Sequence, residues 1–333
     1  MEALDNLRGR TVVVTGASGY IGSALVNDLV KHSCKVLRVS RGDLAPLAET
    51  KSIKADIRTA KFWNEILSQA DIIFHLAGNT SVYEATKNPV ASLNSTLLPI
   101  NHLIKAARAL NCTTRVVFAS TASVYGLTSR LPVSEKVDPK PITIYDMHKL
   151  FAEEQLALAT HQGLLDSVIL RLANVYGPSL SDSSSSDRGV LNKVTAMALS
   201  GKDLTVYGDG NYRRDYVYIT DVVKAFILAG ATSGIGGGVY NLASGVGTTV
   251  RKVFELVANQ SSIKTGIILK VNCTKWPSGT SSIDSREFVA DISSFISATN
   301  WQPVIKLDEG IALLIADFIN KEAISISCSN PGN

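Results

Sequence analysis

The chain of 333 residues is long enough for one large domain, or two smaller ones, with a substantial buried core. Its composition, 45% hydrophobic and 19% charged, excludes wholesale disorder, and a net charge of +4 without a basic stripe gives no indication of nucleic acid as a partner. Because no stretch approaches the roughly 20 apolar residues of a membrane span and the N-terminus lacks a signal-peptide pattern, we expect a cytoplasmic protein with no membrane partner.

Strand and helix patterns alternate through the first half of the chain. A β-branched run at 11–15 precedes a helical pattern over 20–31, and a second strand pattern follows at 35–39. Further predicted elements are buried strands at 71–76, 115–120 and 167–172 and helices at 61–69, 89–110 and 145–161. Pro99 should kink or divide the helix that contains it. The alternation predicts an α/β fold, a Rossmann-like doubly wound parallel sheet with helices on both faces.

The pattern changes after Pro178. A loop rich in Ser and Asp leads to a helix at about 190–200 and then to short strands and turns, and the chain should return to the sheet at about 215–230 and 239–243. We therefore expect a smaller C-terminal α+β lobe that binds the substrate. The predicted organisation is a dinucleotide-binding domain of residues 1–177 plus about 215–245, a substrate lobe of 178–214 and 246–325, and a flexible tail of 326–333.

A glycine run lies between the first strand and the first helix, in the sequence Thr-Gly-Ala-Ser-Gly-Tyr-Ile-Gly. Gly16 would allow the tight turn, Gly19 would let the backbone approach a pyrophosphate, and Gly22 would let the helix pack closely on the sheet. The simpler alternative is an ordinary strand-to-helix turn. The position between a strand and a helix favours dinucleotide binding.

A tyrosine and a lysine one helical turn apart suggest proton transfer beside a nicotinamide. The Lys149 ammonium, with a positive nicotinamide nearby, would stabilise the phenolate of Tyr145 and lower its pKa from the ordinary value of about 10. Tyr145 could then exchange a proton with a sugar hydroxyl or carbonyl, and Thr121 could hydrogen-bond the same oxygen. The alternative is two surface residues on an exposed helix.

The glycine spacing, G-x-x-G-x-x-G, resembles that of the extended short-chain dehydrogenase/reductases, the nucleotide-sugar epimerases, dehydratases and reductases. The resemblance extends from Thr11 to about Gly310. Its further motifs are Asp56-Ile57, His75-Leu76-Ala77-Gly78, Thr121-Ala122-Ser123-Val124-Tyr125-Gly126, Tyr145-Asp146-Met147-His148-Lys149, Arg171 to Pro178, Gly208-Asp209-Gly210, Arg214-Asp215-Tyr216 and Asn300-Trp301-Gln302-Pro303.

The resemblance implies catalytic, cofactor and substrate residues. Thr121, Tyr145 and Lys149 are the expected catalytic set. The expected cofactor contacts are Gly16, Ser18, Gly19, Tyr20, Ile21, Gly22, Ser40, Arg41, Asp56, Ile57, Leu76, Ala77, Gly78, Ala119, Tyr145 and Lys149. The expected contacts with a nucleotide-diphosphate sugar are Thr80, Thr121, Ser123, Asn174, Arg214 and Arg286, with Arg214 on the diphosphate. The resemblance also implies a homodimer formed through the helices at 89–110 and 145–161.

Two positions depart from the patterns of particular family branches. Ser281 stands where the epimerases carry a second phosphate-binding arginine, and Arg286 is a candidate substitute. Ala122 and Ser123 stand where the dehydratases and decarboxylases carry an acid, so dehydration is not expected. The absence of a cysteine from this segment likewise disfavours epimerisation at C3 or C5.

Hydride transfer at sugar C4 remains. We favour a 4-keto-sugar reductase that uses NADPH, with a UDP-hexose 4-epimerase that retains NAD as the alternative. An alternative of another class is a dinucleotide-binding sensor or scaffold without turnover, against which the intact Thr121, Tyr145 and Lys149 argue.

The end of the second strand bears on the choice of cofactor. NAD enzymes carry an acidic residue there that binds the ribose 2′-hydroxyl, whereas this chain has Ser40 followed by Arg41, which suit a 2′-phosphate. NADP(H) is therefore preferred, and NAD(H) stays open because Asp43 or a shifted register could supply the carboxylate. The scattered residues Cys34, Cys112, Cys273 and Cys328 are expected to be reduced thiols, and neither the cysteines nor the histidines show metal-ligand spacing.

Overall fold

The computed structural model describes residues 2–111, 113–179 and 189–329. The strands are β1 (Thr11–Thr15), β2 (Lys35–Ser40), β3 (Thr50–Lys54), β4 (Ile72–His75), β5 (Thr114–Thr121), β6 (Leu165–Leu172), β7 (Asn174–Tyr176), β8 (Leu204–Tyr207), β9 (Arg213–Tyr218), β10 (Val239–Leu242), β11 (Gly247–Thr249) and β12 (Val271–Thr274). The helices are α1 (Glu2–Asp5), α2 (Tyr20–Leu29), α3 (Ala60–Leu67), α4 (Val82–Lys87), α5 (Pro89–Leu110), α6 (Ile144–His161), α7 (Val190–Leu199), α8 (Ile219–Ala231), α9 (Val250–Thr265), α10 (Ser293–Thr299) and α11 (Leu307–Ser329). Short 3₁₀ turns occupy Val30–His32, Ala122–Tyr125 and Ser282–Ser285.

Seven of the described strands form one parallel sheet in the order β10-β6-β5-β4-β1-β2-β3. The strand order reverses next to β1, between β1 and β4, which is where doubly wound sheets open a crevice at their carboxyl edge. The predicted Rossmann-like fold is confirmed. The five strands expected in the first half are present, and β3 is an additional strand that the sequence analysis did not predict.

Helices cover both faces of this sheet because side chains in each strand alternate between two apolar layers. Val12 and Val14 of β1 pack into one layer with α2 and α8, whereas Val13 points into the other with α3, α5 and α6. Phe74 of β4 packs edge-on against Phe226 of α8, with 6.4 Å between the ring centroids. Helix α5 continues through Pro99 as one element, so the predicted division does not occur.

The C-terminal part has its own apolar core and two small sheets. Strands β11, β9 and β7 form one sheet, and β12 pairs with β8 in the other. Two segments were expected to return to the main sheet. The segment at 239–243 does so as β10, whereas the segment at 215–230 supplies α8, which packs on that sheet, and the end of β9, which joins a small sheet. Helix α11 includes residues 326–329 of the expected tail. Residues 330–333 and most of the Ser-rich loop, 180–188, lie outside the described residues, and the division into two domains stays a prediction.

In the described part of the chain, no helix combines the length and apolarity needed to cross a membrane. Cys34 is a buried free thiol beside β2 and Cys273 is an exposed free thiol, whereas Cys112 and the side chain of Cys328 lie outside the described residues. The same described residues contain no group of three His, Cys, Asp or Glu side chains that could hold a metal ion.

Candidate active site

The glycine turn between β1 and α2 is shaped by close backbone approach. Gly16 has φ +71°, and a Cβ there would lie 2.9 Å from the backbone nitrogen of Ala77. A Cβ at Gly22 would lie 2.1 Å from the carbonyl oxygen of Gly16, so the helix can pack this closely only with glycine. The N-cap residue of α2 is Gly19, which has no side chain to cap the helix, and this positive helix end suits a phosphate. The residues fit a dinucleotide pyrophosphate.

A cavity of about 470 Å³ lies beside this turn at the carboxyl edge of the sheet. Eleven of the predicted ligand contacts line it: Gly16, Ser18, Gly19, Ser40, Arg41, Asp56, Ile57, Leu76, Ala77, Gly78 and Thr80. Thr80 was expected on the substrate and lies here among the predicted cofactor residues. Arg58 also lines the cavity and was missed, although its place two residues after Asp56 was a signal that could have found it.

Six predicted cofactor residues do not line this cavity: Tyr20, Ile21 and Gly22 at the start of α2, and Ala119, Tyr145 and Lys149 on β5 and α6. Tyr20 donates its hydroxyl proton to the carbonyl oxygen of Gly177 at 2.9 Å. Ile21 packs against the apolar core. Gly22, as described, lies against the backbone of Gly16. The three residues at the start of α2 therefore shape the turn and connect it to the C-terminal lobe.

The charged groups near the end of β2 are mostly paired. The Ser40 hydroxyl donates to the Ser18 hydroxyl at 3.1 Å, and the Arg41 side chain is exposed. Arg58 donates to both carboxylate oxygens of Asp56 and thereby lowers the pKa of Asp56. Asp43, the alternative carboxylate for a ribose, pairs with Lys54 at 2.9 Å. At the end of β2 the cavity is therefore lined by the hydroxyl of Ser40 and the cation of Arg41.

Thr121 ends β5, whereas Tyr145 and Lys149 lie on the first two turns of α6. Lys149 is buried, and its ammonium donates to the carbonyl oxygen of Ala119 at 2.8 Å and lies 4.9 Å from the Phe118 ring centroid. Burial lowers the pKa of Lys149 to about 8, against the opposing effect of the Glu153 carboxylate. The structure therefore holds Lys149 in one place at the carboxyl edge of the sheet.

A buried ion pair that the sequence analysis missed lies beneath Lys149. Glu153 accepts hydrogen bonds from Arg171, with 2.6 Å between the closest atoms, and from the Ser120 hydroxyl. The Arg171 guanidinium lies 4.8 Å from the Tyr125 ring centroid. The signal was the position of Glu153 one helical turn after Lys149.

A second cavity, of about 640 Å³, opens in the C-terminal lobe beside α7, β8 and α9. Asn174 and Arg214 line it together with Tyr207 and Trp276, whose ring centroids lie 5.6 Å apart. The Arg214 guanidinium donates to the carbonyl oxygens of Ile283 at 3.1 Å, Asp284 at 2.5 Å and Arg286. The Asn174 amide donates to the carbonyl oxygen of Asp215 at 2.9 Å. This arrangement fixes both polar side chains at the wall of the cavity.

Arg286 and Ser123 occupy different places from the other predicted substrate contacts. Arg286 does not line the large cavity, and its guanidinium lies 3.5 Å from the carbonyl oxygen of Ala122, close to Tyr145 and Asp146. Burial, with the charge of Arg214, lowers the pKa of Arg286 to about 10. Ser123 is also buried and donates to the carboxylate of Asp146. Asp146 was not predicted as a site residue, although it directly follows Tyr145.

The fold and this site define a Rossmann-type protein whose glycine turn fits a dinucleotide and whose C-terminal lobe has a second cavity. A family model described as the NAD dependent epimerase/dehydratase family matches residues 12–243. The chain belongs to this family of extended short-chain dehydrogenase/reductases.

Relatives cover nearly the whole chain. The UDP-glucose 4-epimerase of Mycolicibacterium smegmatis is 30% identical over 319 residues, which span 93% of this chain and 98% of the relative. The GDP-6-deoxy-D-mannose reductase of Pseudomonas aeruginosa is 26% identical and spans 92% of this chain and 96% of the relative. The crystal structure of the UDP-glucose 4-epimerase of Thermotoga maritima with UDP-glucose matches with a TM-score of 0.83 and 27% identity, over 94% of this chain and 99% of that one. The relatives thus include both epimerases and a reductase.

Proposed function

We propose that the protein transfers hydride at C4 of a nucleotide-diphosphate sugar and that its reaction is the 4-epimerisation of a UDP-hexose. The observation that carries this proposal is the place of the buried Lys149 ammonium, one helical turn after Tyr145 on α6. It donates to the Ala119 carbonyl oxygen of β5, and a Cβ at Gly78, in the lining of the cavity beside the glycine turn, would lie 3.7 Å from it. The identity to the Mycolicibacterium smegmatis 4-epimerase, 30%, is higher than that to the Pseudomonas aeruginosa reductase, 26%, and favours epimerisation over the reduction that the sequence analysis preferred.

Each of the three side chains would have a separate role at the C4 oxygen of the sugar. Tyr145 takes the hydroxyl proton of the sugar and returns it, while Thr121 hydrogen-bonds the same oxygen. Lys149, with a pKa of about 8, is mostly cationic at neutral pH and stabilises the phenolate of Tyr145. The nicotinamide, when bound, supplies the acceptor and donor of the hydride. Gly16, Gly19 and the N-terminus of α2 would hold the pyrophosphate of the dinucleotide.

The segment after Thr121 supports simple hydride transfer rather than dehydration. Ala122 is buried and has no proton to donate, and the Ser123 hydroxyl is directed to Asp146. Neither residue is a carboxylic acid that could protonate a leaving hydroxyl at C6. A dehydratase would need such an acid at this place.

The nucleotide diphosphate of the substrate would occupy the cavity of about 640 Å³ in the C-terminal lobe. Arg214 brings a buried positive charge to its wall, and a forked guanidinium matches phosphate oxygens. The aromatic rings of Tyr207 and Trp276 offer faces on which a base can stack. The Thermotoga maritima relative, which has UDP-glucose bound, supports a uridine nucleotide.

The test is incubation of the purified protein with UDP-glucose, with and without added NAD, followed by chromatography of the UDP-hexoses. We expect UDP-galactose to form without net oxidation or reduction of the dinucleotide. Turnover that consumes NADPH with a 4-keto nucleotide sugar, but leaves UDP-hexoses unchanged, would support the reductase. Dinucleotide binding with no turnover on UDP-, dTDP- and GDP-sugars would support the sensor.

Removal of the Tyr145 hydroxyl tests the proposed proton transfer. Tyr145→Phe should lower kcat by about 10²- to 10⁴-fold, the usual contribution of general acid–base catalysis. Its dinucleotide affinity, measured by calorimetry, should stay within about twofold because the glycine turn is unchanged. Tyr240→Phe is the control, since Tyr240 packs on Phe295 away from both cavities. Equal turnover in Tyr145→Phe and wild type would refute the assigned role.

A reductase that uses NADPH is the second candidate, favoured by the rim of the dinucleotide cavity. Ser40 and Arg41 lie at the end of β2. The two acidic residues nearby are each paired with a cation, Asp43 with Lys54 and Asp56 with Arg58. A 2′-phosphate would meet Arg41 there. This feature leaves the choice between NADP(H) and NAD(H) to a binding experiment.

Arg41→Ala decides the cofactor preference. We expect NADPH to bind at least about tenfold more weakly, since a charge-assisted hydrogen bond is lost, while the affinity for NADH changes by less than about twofold. Lys61→Ala, which removes an exposed cation of α3 outside the cavity lining, is the matched control. Equal losses of NADPH and NADH affinity would remove the case for a 2′-phosphate site.

We also propose a homodimer formed through α5 and α6. Helix α6 exposes an apolar stripe of Met147, Phe151 and Leu158, and α5 exposes Val90 and Leu93. Exposed apolar residues in one stripe are typical of an interface between proteins. The stripe supports the dimer that the family resemblance implies.

A further inference from the structure

Arg286 brings a positive charge next to Thr121, and the steps assigned above do not use it. Its guanidinium lies 3.5 Å from the carbonyl oxygen of Ala122, the residue that follows Thr121 in the chain. The guanidinium also lies 5.4 Å from the Phe288 ring centroid, and the backbone carbonyl oxygen of Arg286 accepts a hydrogen bond from Arg214. With a pKa of about 10, Arg286 remains charged at neutral pH.

The Arg286 guanidinium does not form an ion pair with any carboxylate of the described residues. Two carboxylates lie close enough to favour its charge, Asp146 and Asp284, and each has another partner. Asp146 accepts a hydrogen bond from Ser123, and burial raises the pKa of Asp146, which disfavours its anion. Asp284 accepts a hydrogen bond from the Tyr83 hydroxyl. The charge of Arg286 is therefore available to an anionic group of a ligand.

The place of this charge selects among the groups of a nucleotide-diphosphate sugar. The proposed function puts the C4 oxygen at Tyr145 and Thr121. In a hexopyranose, C1 and C4 are opposite atoms of the ring, so the diphosphate on C1 extends away from C4, toward Arg214 in the wall of the large cavity. The substituents next to C4 are the hydroxyl on C3 and the C6 group on C5. Of these two, only the C6 group can carry a negative charge, as a carboxylate.

We propose that Arg286 is a specificity-determining residue that binds a carboxylate at C6 of the sugar, so that the preferred substrate is a UDP-hexuronic acid such as UDP-glucuronate. A planar guanidinium matches a carboxylate with two parallel hydrogen bonds. The inference rests on the proposed function, because the position of C4 decides which ring substituents lie near Arg286. The C6 carboxylate takes no part in the bond changes at C4, which remain those of the epimerisation proposed above.

Two other roles for Arg286 compete with this one. The arginine could bind the diphosphate together with Arg214, or it could serve only to hold the segment after β5 through the carbonyl oxygen of Ala122. The three roles differ in which part of the ligand depends on Arg286. A series of ligands that adds one group at a time therefore separates them.

The binding experiment is calorimetry with UDP, UDP-glucose and UDP-glucuronate in the presence of saturating NAD. Wild type should bind UDP-glucuronate at least about tenfold more tightly than UDP-glucose, since a charge-assisted pair is gained. In Arg286→Gln the affinity for UDP-glucuronate should fall by at least about tenfold, while the affinities for UDP and UDP-glucose change by less than about twofold. Retained affinity for UDP shows that the variant is folded. Arg286→Lys, which keeps the charge without the fork, should lose less than Arg286→Gln.

Arg251→Gln is the charge control, because it removes an exposed arginine of α9 that does not line the large cavity. It should leave all three affinities unchanged. Equal losses for the three ligands in Arg286→Gln would assign the arginine to the diphosphate and overturn the proposal. Unchanged affinity for UDP-glucuronate in Arg286→Gln, as expected of a purely structural residue, would overturn it as well.

Turnover separates this inference from the proposed function. In wild type, kcat/KM for conversion of UDP-glucuronate to UDP-galacturonate should exceed that for UDP-glucose by at least about tenfold, and Arg286→Gln should abolish this preference. If wild type turns over neither sugar nucleotide but binds UDP-glucuronate selectively through Arg286, the proposed function fails and the carboxylate site stands. If it epimerises and binds both equally well, the proposed function stands and the inference fails.

Discussion

The ammonium of Lys149 depends on two opposing effects. Burial lowers its pKa to about 8, and the carboxylate of Glu153, one turn further along α6, works against this. Glu153 also forms an ion pair with Arg171, so one buried carboxylate stabilises the charges of both Lys149 and Arg171. The charge that we propose to stabilise the Tyr145 phenolate is therefore set in part by Glu153, a residue without an assigned contact to cofactor or substrate.

Glu153→Gln should lower the pKa of Lys149 further, because it removes the charge that favours the ammonium. A lysine is charged only below its pKa, so the alkaline limb of the pH profile of kcat, expected near pH 8 from Lys149, should move to lower pH. The variant should also lose about 3 kcal/mol of stability in urea titrations, since Arg171 is left unpaired. Glu154→Gln, on the exposed neighbouring position, is the control. An unmoved alkaline limb would contradict the assigned effect.

Elements with a regular apolar pattern and clear end signals were predicted well. Helix α5 begins at Pro89 and ends at Leu110 as predicted, since Asn88 caps it and Asn111 adopts the left-handed conformation that ends it. Strand β3 was missed because its sequence, Thr-Lys-Ser-Ile-Lys, is mostly polar. It lies at the edge of the sheet, where one side of the strand faces solvent.

The close packing of α2 on the glycine turn makes a prediction for this element. In Gly22→Ala the new Cβ would lie 2.1 Å from the Gly16 carbonyl oxygen, so the helix or the turn must shift. We expect dinucleotide affinity, measured by calorimetry, to fall by at least about tenfold, because the helix end no longer meets the pyrophosphate in place. Ser23→Ala on the same helix should bind normally. Normal binding by Gly22→Ala would show that the turn tolerates a displaced helix.

The molecule combines a cavity beside the glycine turn, at the sheet edge, with a second cavity in the C-terminal lobe. The Tyr20 hydroxyl, which donates to the Gly177 carbonyl oxygen, and strand β7, which follows β6 of the large sheet and pairs with β9, connect the two parts. The exposed stripe on α6 belongs to neither cavity. It is the surface on which the proposal of a homodimer rests.

Phe151→Lys tests the dimer. A charge in the middle of the apolar stripe should prevent association, so sedimentation equilibrium should give the mass of a monomer for the variant and of a dimer for wild type. Ile263→Lys is the control, because Ile263 is 80% exposed on α9, away from the stripe. A monomeric wild type, or a variant that stays dimeric, would contradict the proposed interface.

The sequence by itself determined the doubly wound fold, the glycine turn and the order of Thr121, Tyr145 and Lys149. These features are local. The spacing of apolar side chains, the cap of a helix and a glycine needed for close backbone approach are each encoded within a few neighbouring residues. The sequence motifs also predicted eleven ligand contacts that line one cavity in the structure.

Only the tertiary structure decided which distant side chains meet. Ser123 and Asp146 are 23 residues apart, and Arg214 and the Arg286 carbonyl are 72 apart. Such pairs depend on how helices and loops pack against the sheet, and no periodicity in the chain specifies them. For the same reason the place of Arg286, beside Tyr145 and not in the wall of the large cavity, became visible only in the folded molecule.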